Sequence, residues 1–152
     1  MSNLSNDEID WALSKVPHAW NMYAGAYAHD QLPHVNLTHV PAFLVINTDS
    51  HNLPGRHWIS IYIDANRRCE VFDPLASPPS NHVVRFMNRW SRQWVTNNNM
   101  YQHPLSSACG VFVLYHLVNR HCYPSLSALL QTLSPNLLEN EIIMSAFYRR
   151  LE

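Results

Sequence analysis

From Cys109 to His121 the chain has almost no polar face: Val111, Phe112, Val113, Leu114, Tyr115, Leu117 and Val118 cover nearly every side of the helix this stretch predicts. A helix that is apolar all round has to be enclosed by other elements, so it belongs at the centre of the fold. Neither this run nor any other approaches the ~18–20 apolar residues of a membrane span. The rest of the chain must therefore surround it. The 152 residues, 47% hydrophobic and 14% charged, supply a real core, and residues 1–152 are expected to form a single domain.

The elements that would do the surrounding can be read in order. Ser5 followed by Glu8 forms a capping box, and Ile9, Leu13 and Val16 recur at helical spacing, predicting a first helix to about Val16. Residues 20–41, rich in aromatics, His and Pro, read as irregular surface structure. Ala42–Asn47 reads as a short buried strand. Asp49–Arg56 reads as a turn and His57–Asp64 as a second strand. Asn66-Arg67 makes a hairpin turn into a third strand, Cys69–Asp73, which Pro74 and the Pro78-Pro79 pair stop. Ser80 caps a helix with the apolar stripe Val83, Met87, Trp90 and Trp94, ended by Asn97-Asn98-Asn99. Ser134-Pro135 opens a last helix to about Arg150. Helix, three strands, then helices is an α+β order, with a small antiparallel sheet packed on the central helix.

Charge and cysteine content exclude several classes. Ten Lys+Arg against eleven Asp+Glu give a net charge of −1, which excludes a strongly basic nucleic-acid binder and an acidic tail protein. The polar, acidic start of the chain has no basic n-region or apolar h-region, so it does not read as a secretory signal. Three cysteines do not make a disulfide framework, which favours a reducing compartment.

Cys109 carries the chemistry. It stands at the start of the central helix, where unpaired N–H groups and positive potential favour a thiolate over a thiol. Gly110 removes a side chain where a substrate backbone would approach. A base is needed, and strand parity narrows the ten histidines. His57 begins the row Ile59, Ile61, Ile63, which is expected to face the core and the central helix. An acid must orient the imidazole. Asp73 shares a face with Cys69 and Val71, whereas Glu70 points the other way with Phe72. Gln102, seven residues before the cysteine, could supply an amide N–H beside the backbone N–H of Cys109 as an oxyanion donor, typically worth ~3 kcal/mol.

His57-Trp58, Asp73-Pro74, Gln102 and Ser107-Ala108-Cys109-Gly110 resemble, in order and spacing, the catalytic set of the adenovirus maturation protease (adenain) family, within the wider clan of SUMO-specific proteases. Gly25-Ala26-Tyr27 with Asp30 and Pro33 resembles the early substrate-side loop of adenain, and Val45-Ile46-Asn47-Thr48 the strand before its histidine. The likeness covers roughly residues 20–122. It implies a papain-like, adenain-type fold and a cysteine endopeptidase. His57 would be general base and acid, Asp73 its orienting partner, Cys109 the nucleophile, and Gln102 the oxyanion donor. Trp58, Gly25, Asp30 and Gly110 would belong to the substrate side of a narrow cleft that accepts glycine near the scissile bond, although by parity Trp58 leaves the core face and covers either the cleft or the outer sheet surface. The implied substrates are viral capsid or core precursors cut during virion maturation, in virion, host nucleus or cytoplasm. The implied source is a DNA virus or a Polinton- or adintovirus-type element. The alternative within the clan is a deconjugase of a SUMO- or ubiquitin-like modifier.

Some features depart from adenain. The acid is Asp rather than Glu, as in the SUMO-protease branch, and the chain after the nucleophile is shorter. Residues 91–101, expected to hold the cysteine that captures an activating peptide, contain none, and the chain is near neutral where adenain is basic and DNA-stimulated. These departures put both the peptide and the DNA activator that the resemblance implies in doubt. No cofactor and no metal is expected, since there is no Cys-x-x-Cys or His-x-x-x-His pair and His116, His121 and Cys122 are loosely spaced. Arg85, Arg89 and Arg92 read as a solvated face, Cys69 and Cys122 as inert core or near-core thiols. A pseudoenzyme acting as an assembly module is a third reading, one that an intact catalytic set argues against.

Overall fold

In the computed structural model, which describes residues 3–49 and 57–152, five strands form one mixed sheet: β1 (Tyr23–Ala28), β2 (Ala42–Asn47), β3 (Trp58–Ile63), β4 (Arg68–Phe72) and β5 (Gln93–Thr96), ordered as in the chain. β2, β3 and β4 are an antiparallel meander, and β1 and β5 flank it in parallel. The helices are α1 (Asn6–Ser14), α2 (Pro17–Met22), α3 (Asn81–Trp90), α4 (Cys109–Asn119), α5 (Leu126–Leu130) and α6 (Leu137–Leu151). The central helix is α4, enclosed by β3 on one side and by α1, α2 and α6 on others. Its residues 109–114, with His116 and Leu117, are all buried, as an all-round apolar sequence requires.

The α+β layout holds, but the sheet is larger and mixed. β1 lies in the stretch read as irregular; its Ala-Gly-Ala core lacks the branched residues that signal a strand. β5 replaces the last turn of the helix expected after Ser80. That helix stops at Trp90, and Trp94, which fits the helical stripe, sits on an edge strand instead. Arg92 is therefore not on that helix, and Arg89 is not a free charge: it donates to the Pro33 carbonyl and the Asn36 side chain. The first helix has the Ser5–Glu8 capping box but ends at Ser14, before Pro17 opens the next. The last is capped by Asn136 rather than Ser134, and α5 precedes it. The expected turn at Asp49–Arg56 lies, from residue 50, outside the described residues.

The parity argument is corrected in one respect. Ile59, Ile61, Ile63, Cys69 and Val71 face α3, packing on Val83, Phe86 and Met87. Trp58, Tyr62 and Phe72 face the central helix with Phe43 and Val45. The sheet is covered on both sides, so the purely apolar row did not have to face α4. The opposite row carries the polar residues Ser60 and Glu70, and α4 supplies a partner for both. His116 Nδ1 lies 2.7 Å from Ser60 Oγ and His116 Nε2 2.7 Å from Glu70 Oε2. Arg120 closes the group with two N–H bonds to the Glu70 carboxylate, at 2.9 and 3.0 Å. Buried polar groups matched in this way fix the register of helix on sheet.

Candidate active site

The site forms where strand ends meet a helix start. His57 immediately precedes β3 and Asp73 immediately follows β4. The antiparallel register, Ser60 opposite Phe72, brings these two ends to the same edge of the sheet. His57 Nε2 lies 2.6 Å from Asp73 Oδ1, in the range of a strong charge-assisted bond. The same Oδ1 accepts the Leu75 N–H at 2.8 Å, so the carboxylate is aimed from two sides. Asn97 holds the Asp73 peptide by accepting its N–H at 2.9 Å and donating to its carbonyl at 2.7 Å.

Cys109 is the first residue of α4 and is 1% exposed. The N-cap, Ala108, has no side chain to satisfy the first-turn N–H groups, which leaves the positive end of the helix directed at the site. The Trp58 N–H donates to Cys109 Sγ at 3.4 Å. Asp73 engages Nε2 of His57, and the Cys109 thiol is its other hydrogen-bond partner. Burial pulls the imidazole down, but hydrogen bonds to Asp73 and Cys109 and the charges of both outweigh it, leaving His57 pushed up to about 9. An imidazole placed in this way is able to accept and release a proton beside the Cys109 thiol.

Gln102 is buried on the approach to α4. Its backbone N–H and that of Tyr101 both donate to the Pro74 carbonyl, at 3.1 and 2.8 Å, tying this loop to the residue after Asp73. Nε2 donates to the Ser106 carbonyl at 2.8 Å, which uses one of its two hydrogens. Trp58 is not on an outer surface: it is buried against α4, and its indole N–H donates to the Leu4 carbonyl at 2.8 Å. Gly110 accommodates a neighbour within the chain, since a Cβ there would meet Leu4 Cβ at 3.0 Å. Asn3 Oδ1 lies 3.9 Å from Cys109 Sγ, so the segment before α1 runs past this thiol. Gly25 has φ +117 at the irregularity in β1, a conformation that favours glycine. Asp30 follows β1 in a short 3-10 helix, His29–His34. The pairings Ala28–Asn47 and Asn47–Trp58 put that end of β1 at the same sheet edge as His57, two strands away.

The other candidates separate from this cluster. Glu70 pairs with His116 and Arg120, not with His57. Cys69 is buried, and burial with the Glu70 charge pushes its thiol up to about 12. Cys122 is exposed rather than near the core. No group of three metal-ligating side chains occurs among the described residues. The sequence reading missed two contributors, Leu4 and Asn97. Leu4 was visible only as the apolar residue before a capping box; Asn97 looked like one of three helix-ending asparagines.

The sequence matches the Ulp1 protease family, C-terminal catalytic domain, over residues 28–142. It is 32% identical over 102 residues to a protease of fowl adenovirus A serotype 1, covering 57% of this chain and 50% of the relative. A cysteine protease of African swine fever virus is 36% identical over 52 residues, 32% of this chain and 19% of the viral protein. The chain thus spans half or less of the length of these relatives in the matched regions. The crystal structure of the African swine fever virus protease superposes with a TM-score of 0.68 at 19% identity, covering 88% of this chain and 62% of that one, which is a likeness of fold.

Proposed function

The chain belongs to the Ulp1 protease family, and within that family we propose a cysteine protease acting on polypeptides, an endopeptidase that matures viral structural precursors at glycine-containing sites. The observation that carries the chemistry is the 2.6 Å His57–Asp73 contact beside a helix-start thiol that His57 also engages. In this reading His57 takes the Cys109 proton and the thiolate attacks the scissile carbonyl carbon. The oxyanion that forms is held by the Cys109 N–H and the second Nε2 hydrogen of Gln102, each such donor worth about 3 kcal/mol. Collapse expels the amine, which leaves with the proton from His57. Water, deprotonated by His57, then hydrolyses the thioester and regenerates the thiol.

Trp58, Gly25, Asp30 and Gly110 are the residues proposed to shape the substrate side, with Leu4 closing the space over Gly110. Viral proteases among the relatives support precursor maturation in virion, host nucleus or cytoplasm over secretion. Among the described residues no helix is long and apolar enough to cross a membrane. The test gives the protein a precursor polypeptide with an internal Gly-Gly site and, separately, a SUMO-type isopeptide conjugate, and maps the products by mass spectrometry. Cleavage of the precursor with the conjugate intact is expected. Release of the modifier with the precursor untouched would establish the deconjugase instead.

A further inference from the structure

Between β4 and β5 the backbone ladder stops two residues before the acid. The last parallel pair is Val71 with Thr96, and Phe72 and Asp73 run on without a strand partner on that side. Asn97 fills the gap with its side chain. Oδ1 accepts the Asp73 N–H at 2.9 Å, and Nδ2 donates to the Asp73 carbonyl at 2.7 Å and the Asn99 carbonyl at 3.0 Å. A carboxamide carries the same donor and acceptor as a peptide group, so here it stands in for the next rung of the sheet. Every Nδ2 hydrogen is used, and the residue is 8% exposed.

On the opposite side, Asp73 is followed by Pro74, whose nitrogen donates nothing. The Pro74 carbonyl is held by Tyr101 and Gln102, and the Asp73 carbonyl by Ala76 N–H as well as Asn97. The Asp73 N–H is held by Asn97. We propose that Asn97 is a positioning residue of the peptidase, a side-chain rung that fixes the Asp73 peptide so that its carboxylate stays on His57 Nε2. This rests on Asp73 being the orienting acid. Asp73 and Cys109 are the groups that hold the His57 imidazole, so a shifted Asp73 carboxylate is read directly in how His57 titrates.

The test compares the parent with Asn97→Ala, Asn97→Ser and Asn140→Ala. Asn140 is another buried amide, 0% exposed, whose hydrogen bonds run to Tyr101 and Ser134. His57 is titrated by NMR, and kcat and KM are measured against pH on a peptide substrate. For Asn97→Ala the His57 midpoint and the alkaline limb are expected to fall by about one pH unit. The drop in kcat is about ten- to a hundredfold, with KM little changed. Asn97→Ser, which retains one bond, falls between and serves if the alanine variant does not fold. Asn140→Ala lowers Tm while the His57 midpoint stays. A parent-like His57 midpoint in folded Asn97→Ala or Asn97→Ser overturns the proposal. Asp73→Asn is run alongside: full activity in that variant removes the acid itself, a failure of the parent reading that is separate from any result at Asn97.

Discussion

Two histidine–carboxylate pairs among the described residues invite comparison, His57 on Asp73 and His116 on Glu70, at nearly identical lengths of 2.6 and 2.7 Å. His116 even has a serine hydroxyl on its other nitrogen, so on paper it is a Ser-His-Glu set. Company and access separate them. The His116 side chain is 0% exposed, and Arg120 takes both oxygens of Glu70. The His57 side chain is 15% exposed, at the sheet edge, beside a thiol at a helix start. Burial pushes the Glu70 carboxyl up, yet His116 and Arg120 hold it below its ordinary value. The sealed group is spent on joining α4 to the sheet. In the open one, on the proposed function, the acid holds an imidazole that moves a proton. A hydrogen-bonded constellation becomes an active site only where a substrate can arrive.

The comparison breaks first under paired alanine substitutions. His57→Ala is expected to lower kcat/KM by about a thousandfold or more while the denaturant midpoint stays close to the parent's. His116→Ala should do the reverse, destabilising by about 3–5 kcal/mol by leaving Glu70, Arg120 and Ser60 mismatched in the interior. In its folded fraction kcat/KM should remain within a few-fold. Steady-state kinetics and urea unfolding on both proteins check this, and activity lost equally in both would erase the distinction.

Glu70→Gln sharpens it at a smaller scale, with an expected loss of about 2–3 kcal/mol read by urea unfolding. Because the folded carboxyl is depressed, its contribution is present above the ordinary carboxyl value of 4.5 and fades as pH falls through the lowered value. The parent should therefore lose stability on the acid side more steeply than Glu70→Gln. The open pair has the opposite sign. His57 is raised from 6.5 to about 9, so its contribution is full below 6.5 and lost as pH rises through about 9. The alkaline limb of kcat/KM should lie near that value. The smallest expected effect is Gly110→Ala, about 1–2 kcal/mol from the approach to Leu4. Leu4→Ala should recover part of it in a double-mutant cycle.

That His57, Asp73 and Cys109 come together was legible because the chain presents them in a fixed order at fixed spacings, and because a thiol at the head of a buried helix is chemically distinctive. The path to them was partly wrong. The isoleucine row that seemed to aim His57 at the central helix faces α3. His57 meets Asp73 because both lie just off the ends of paired strands, where side-chain alternation no longer governs direction. β1 was hidden by its small residues. β5 was hidden because Trp94 satisfies a helical and an extended pattern alike, and only the backbone of Ser91, extended at the C-cap, breaks the helix. Asn97 was illegible because three consecutive asparagines look the same until a strand end chooses one. Leu4 depends on a contact across more than a hundred residues, which no local pattern reports.

The central claim is that Cys109 is the thiol made reactive by His57. Three cysteines compete on different grounds: Cys122 is exposed, Cys69 is buried and held as a thiol, and Cys109 is buried beside an imidazole. Brief treatment with substoichiometric iodoacetamide at neutral pH, followed by peptide mapping of the parent and His57→Ala, ranks them directly. The adduct should form first on Cys109 in the parent and shift to Cys122 when His57 is removed. Preferential labelling of Cys122 in both proteins, with Cys109 inert, would contradict the account.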